Sequence, residues 1–292
     1  MAARLQAVLR RARHDLFVPL AFSLSRRIEQ VAWGDLADDP GLGAFALKSA
    51  QKVFLADGVI NWADSWLEAE SVGLACKRDA EGRVAMAPAP LEAAPDTRAI
   101  LQSHPVQCAI DIATSLCQQA GDQGLVFGYL TGPATVRRRL FGPVPRDART
   151  ATDAGGNIAM ALARAYCEAG VSALLLAEEE PVADVAVIEA LNPMFNLADY
   201  YGAAVIYVSR QPLPAAAAAA LTGLGARIAG AQDAEHEIIA LPIGEASVEE
   251  CAAKWRSRTV GGKPRLVVSS WDIPADAAPE DVIALAKTIK EI

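Results

Sequence analysis

The chain has 292 residues, 52% of them hydrophobic and only 21% charged, which is ample material for a large core and too apolar for a disordered chain. Its net charge of −8 excludes a general nucleic-acid binder, which needs a basic face. The cysteines at 76, 108, 117, 167 and 251 are odd in number and far apart, with no CxxC pair, so reduced thiols are expected rather than a disulfide framework. The opening MAARLQAVLRRARHD has arginines but no following apolar stretch and cleavage site. No window approaches the ~20 apolar residues of a membrane span. A cytoplasmic protein is expected, with neither membrane nor nucleic acid as partner.

In chain order, short apolar runs at 16–22, 59–62, 125–130, 173–177, 203–208, 226–229, 238–241 and 266–269 read as strands buried on both faces. Between them, 45–56, 100–120, 154–169, 214–224, 248–257 and 279–292 have helical length and composition. Eight strands alternating with helices predict an α/β fold, a single (β/α)8 barrel of TIM type, shortened and divergent, over residues 1–292. GAQDAEHE, between the sixth and seventh runs, leaves little room for a helix, so a seven-stranded or doubly wound sheet stays open. Two insertions are expected: 77–98, a β-hairpin followed by a Pro/Ala-rich extended loop, and 142–152, a second loop.

In such folds ligands bind at the C-terminal ends of the strands. Asp64 directly follows the second run, where it serves either as a ligand-binding or acid/base carboxylate or as the cap of a helix starting near Ser65. Glu178, Glu179 and Glu180 follow the fourth. Strand alternation puts Glu178 and Glu180 on one face and Glu179 on the other; a solvated acidic loop is the alternative. Of Arg137, Arg138 and Arg139 only one can point inward, to clamp a carboxylate or phosphate; otherwise the three form a solvated helix face. His14, His104 and His236 are isolated, with no metal-ligand spacing, and neither GxSxG nor GxGxxG is present. DAGGN at 153–157 is either a phosphate loop or a helix start.

Four collinear stretches resemble the uroporphyrinogen decarboxylase superfamily, which includes corrinoid-dependent methyltransferases. DGVINWADSWLEAESVG is similar to its strand–Asp–helix segment, and YLTGPATVRRRLFG to its GxPxTLxxxLxG segment. AYCEAGVSALLLAEEEP and LVVSSWDIPADAAPEDVIALAKTIKEI resemble its EAG…E and closing segments. The resemblance implies a (β/α)8 barrel and equates Asp64 with the Asp that binds the tetrapyrrole NH groups of the decarboxylases.

The chain also departs from the family's pattern. The arginines that hold porphyrinogen carboxylates are out of register here, as Arg26 and Arg27 in PLAFSLSRRIEQ. The decarboxylase Tyr falls on Arg139, and its His on Ser270 or Trp271. The HxC zinc ligands of the methyltransferases have become AVIYVSRQP, and their late Cys falls around Ser270 and Trp271. No DxHxxG corrinoid motif occurs.

The resemblance, with these departures, implies a zinc-independent methyltransferase or demethylase component with no metal site. A corrinoid or tetrahydrofolate carrier would be supplied in trans. Asp64, Glu178 and Glu180 are the expected catalytic residues; Asn61, Trp62, Tyr129, Thr131, Arg139 and Trp271 are expected to contact a small-molecule substrate. Two alternatives stand beside it: a non-catalytic scaffold subunit of a catalytic homologue, and a decarboxylase of a small carboxylated substrate. A dimer is expected, and a homologous subunit or corrinoid protein is the candidate partner.

Overall fold

The computed structural model describes residues 3–291 except 75, 80–83, 87–88, 122–123, 144, 183, 230–237 and 258–263. Its eight barrel strands are β1 (Leu16–Phe17), β2 (Gly58–Ile60), β3 (Leu125–Thr131), β4 (Ala173–Glu178), β5 (Ala204–Ser209), β6 (Arg227–Ile228), β7 (Ile238–Leu241) and β8 (Leu266–Ser269). All pair in parallel, in the orders β7–β8–β1 and β2–β3–β4–β5–β6. This is the strand succession of a (β/α)8 barrel, open among the described residues between β1 and β2 and between β6 and β7. GAQDAEHE, with His236, lies outside the described residues.

At the first opening Asp57 does the work of a ladder. Its N–H donates to the Phe17 carbonyl (2.8 Å) and its Oδ2 accepts from the Phe17 N–H (2.8 Å). Lys290 Nζ donates to its other oxygen at 2.8 Å.

The strands alternate. Phe127, Tyr129, Leu175, Ile206, Ala240 and Val268 meet inside the barrel. Val126, Leu130, Leu174, Leu176 and Val205 pack outward beneath helices that include His104–Ala120 and Ala148–Ala169. Phe17, Ile239 and Val267 pack outward beneath Val248–Ser257 and Pro279–Lys290. The N-terminal helix Ala3–Arg11 sets Leu5 and Leu9 against the interior residues, and its Arg4 donates to the Gly170 carbonyl (2.9 Å), just before β4. It therefore closes the N-terminal end of the barrel. Among the described residues no helix is long and apolar enough to cross a membrane.

The run at 16–22 is strand only over Leu16–Phe17, with a helix, Phe22–Ile28, following it. Two other boundaries differ from the sequence reading for a local reason. The expected helix over 100–120 is two, Thr97–Gln102 and His104–Ala120, because Pro105 cannot donate to the Leu101 carbonyl; the Gln107 side chain does so instead (2.5 Å). The expected loop over 142–152 turns helical at Ala148, where the Asp147 carboxylate caps Arg149 N (3.0 Å) and Thr150 N (3.1 Å). DAGGN is therefore mid-helix, neither a phosphate loop nor a helix start. Its glycines serve packing: a Cβ on Gly156 would lie 2.6 Å from the Ala190 carbonyl oxygen. In the 77–98 insertion Lys77–Arg78 pairs antiparallel with Val84–Met86, and among the described residues these strands pair only with each other.

Gly156→Ala weighs about 1 kcal/mol of helix propensity in favour of alanine against a clash with backbone that costs roughly 1–3 kcal/mol. The clash should win: the variant is expected to melt below the parent in thermal unfolding, and an equal or higher Tm would show that the Ala190 backbone moves away freely.

Candidate active site at the C-terminal mouth

The end of β4 organises the mouth. Glu178 has no exposed surface; Oε2 accepts from Ala134 N (2.9 Å), and Oε1 from Thr135 N (2.9 Å), Thr135 Oγ1 and Glu180 N (3.2 Å). The carboxylate thus sits on the N-terminus of the helix Pro133–Phe141, where unpaired N–H groups and the helix dipole favour negative charge. Gly132 leaves room for it, since a Cβ there would run into the carboxylate. Burial nevertheless pushes Glu178 up to about 7, against these hydrogen bonds.

The three glutamates separate by partner. Glu178 points out of the barrel and anchors the helix. Glu180 forms a half-exposed pair with Arg138 (3.0 Å). Glu179, outside the expected catalytic set, faces the mouth: it accepts from Arg139 Nη2 and from Ser65 Oγ (2.8 Å). Arg139 is the inward arginine, donating also to Ser65 Oγ (2.5 Å) and lying 4.3 Å above the Trp66 ring. The signal for Glu179 was in the alternation, because it shares parity with the inward Leu175 and Ala177.

After β2, Asp64 does not cap the next helix, Leu67–Ser71, whose start carries no side-chain cap. One oxygen accepts from Trp66 N (3.1 Å) and shapes the turn; the other accepts from Arg78 Nη2 (2.6 Å). Arg78 comes from the hairpin, also binds Glu70 (2.7 Å), and lies 4.2 Å over the Trp33 ring. Burial pushes the Asp64 carboxyl up, and Arg78 pulls it back. Glu68, one helical turn on, is buried and accepts from Thr131 Oγ1 (2.9 Å). Burial raises it to about 7. Tyr129 faces the same interior, its phenol pushed up by burial and by Glu179 and Glu68.

The remaining expected contacts divide. Thr131 serves Glu68. Asn61 has no exposed surface: it accepts from Tyr129 N (2.6 Å) and donates to the Ala109 carbonyl (3.4 Å), tying β2 to β3 and to a helix. Trp62 is buried in a ring cluster with Phe22 (5.3 Å) and Trp33 (5.4 Å), its indole N–H without a hydrogen-bond partner. Such a buried donor costs about 1–3 kcal/mol. Trp271, after β8, packs on the barrel interior with Arg210 5.0 Å from its ring. Asp272 caps Phe22 N (2.8 Å) and Ser23 N (3.2 Å), and burial raises it to about 7.

Among the described residues no group of three His, Cys, Asp or Glu side chains has metal-binding geometry. Cys76 lies near the Asp64 pair, and burial together with Glu70 pushes its thiol up to about 11, away from the thiolate that nucleophilic or ligand chemistry needs. His14 and His104 pair with Asp57 and Asp38, outside the mouth.

No protein-family profile matches the chain, and no curated protein matches it. Among solved structures, a methyltransferase from Methanosarcina mazei has a TM-score of 0.73 at 15% identity, covering 98% of this chain and 97% of that one. That likeness shows the fold.

Glu68 makes stability pH-dependent. Its folded value is raised above the ordinary 4.5 to about 7, so the folded chain holds a proton the unfolded chain releases, and stability falls as pH rises through that window. Tm is expected to drop between about pH 5 and pH 8, and Glu68→Gln, which mimics the protonated form, to flatten the drop by up to about 3 kcal/mol. Parallel profiles for the two proteins would exclude this role.

Proposed function

We propose that the chain is a methyltransferase-type barrel that handles a small methylated organic substrate at the mouth between the ends of β2, β3 and β4. The observation that carries this is the gathering of Asp64, Glu68, Tyr129 and Glu179 where (β/α)8 barrels do their chemistry. The near-complete overlap of the fold with a methyltransferase and the four stretches resembling the uroporphyrinogen decarboxylase superfamily support it. Asp64 orients the substrate. Glu68, able to hold or release a proton near neutral pH, acts in acid/base steps, and Glu178 acts by positioning. Zinc-thiolate activation has no part in this reading, since the mouth presents carboxylates, hydroxyls and indoles.

The methyl carrier comes from outside the chain. The described mouth offers no histidine to a corrinoid, which would arrive on its own protein; a tetrahydrofolate fits better, because carboxylates such as Asp64 and Glu179 match the paired N–H donors of a pterin edge. Either carrier supplies methyl-accepting chemistry when bound.

Asp64→Ala is expected to lower methyl transfer from a methylated donor to added tetrahydrofolate or cobalamin about 100-fold, measured as methylated product by mass spectrometry. Full activity in both Asp64→Ala and Glu178→Ala would sink the reading. One observation favours a scaffold subunit instead: Asp64 and Glu179 are already paired with arginines of the chain. Co-purification of a stable heteromer from which the isolated chain is inactive would select that alternative.

A further inference from the structure

Trp33, Asp64 and Glu70 form three sides of a cage, and the cage is full. The Arg78 guanidinium lies 4.2 Å over the Trp33 ring while Nη2 reaches Asp64 at 2.6 Å and Nε reaches Glu70 at 2.7 Å. The Trp33 ring is held in orientation by edge-on contacts with Trp62 (5.4 Å, 71°) and Phe22 (5.7 Å, 84°). An aromatic face flanked by carboxylates is the environment in which compact organic cations bind, the ring quadrupole and the negative charges acting together.

The three cage residues and their occupant belong to different parts of the chain. Trp33 opens the helix Trp33–Asp38, Asp64 follows β2, and Glu70 is in the short helix Leu67–Ser71. Arg78 is carried by the hairpin, whose strands belong to neither barrel sheet. Occupant and cage thus sit on separately paired parts of the chain. Once the occupant leaves, two little-exposed carboxylates face each other beside an indole, a state that calls for another cation.

We propose that the Trp33–Asp64–Glu70 cage is a binding site for a small organic cation, a methylated ammonium or guanidinium compound, and that Arg78 is its tethered stand-in, displaced when the ligand binds. The inference rests on the mouth being the ligand site and names the class of molecule it takes. Arg78 competes at the high effective concentration of a tethered group, on the order of millimolar, so free ligand binds weakly while Arg78 occupies the cage. An anion of the same size finds two carboxylates in its way.

The test uses the full chain and its Arg78→Ala variant, with thermal unfolding and tryptophan fluorescence as readouts and tetramethylammonium and methylguanidinium as probes. Sodium chloride and tert-butanol serve as ionic and neutral controls. Arg78→Ala is expected to melt several degrees below the parent, and both organic cations to restore its Tm and shift its fluorescence at concentrations at least tenfold lower than the parent requires. If Arg78→Ala fails to fold, Arg78→Lys keeps a weaker occupant and should show the same ordering. Sodium matching the organic cations in both variants overturns the proposal, as does a response that survives Asp64→Asn with Glu70→Gln. Because the readout is binding, the two readings fail separately. Cation binding without methyl transfer removes the proposed reaction and keeps the cage; methyl transfer with no response to cations does the reverse.

Discussion

The buried carboxylate at the end of β4 is the constraint on which the mouth depends. Glu178 takes the first N–H groups of the helix Pro133–Phe141 on both its oxygens, so charge-assisted bonds join the end of β4 to the helix that follows β3. Burying a carboxylate is costly, and here the cost is offset by backbone donors that had no other partner. With the helix start pinned, Arg139 in its last turn is delivered to Ser65 and Glu179. One outward side chain thereby sets the position of an inward ion pair and ties the end of β4 to the segment after β2.

Much of the fold was legible because buried parallel strands are short apolar runs. The runs at 238–241 and 266–269 coincide with β7 and β8, and the others lie within a few residues of the observed strands. Helix boundaries were less legible where one side chain decides them, as Asp147 and Pro105 do. At the site, Asp64 stood out by position alone. Glu179 was present in the alternation but lost among its neighbours, and Glu68 sat a helical turn beyond Asp64. Arg78 had no local signal at all: a charged residue in a hairpin reads as solvated until tertiary contact brings it onto Trp33.

Charge balance gives the mouth its character. Asp64, Glu68, Glu70 and Glu179 face two arginines, Arg78 and Arg139, each laid over a tryptophan. The surplus is moderated by Glu68, whose carboxyl is held partly protonated near neutral pH. Oxygen acceptors therefore outnumber the cations there. Such a lining discriminates by charge first and by shape second.

The N-terminal helix has a kinetic consequence. With Leu5 and Leu9 packed against the interior residues, the barrel is plugged at its N-terminal end. In the proposed reaction donor and acceptor would therefore both come to the C-terminal mouth and take turns there, and an excess of either would inhibit by occupying the place of the other.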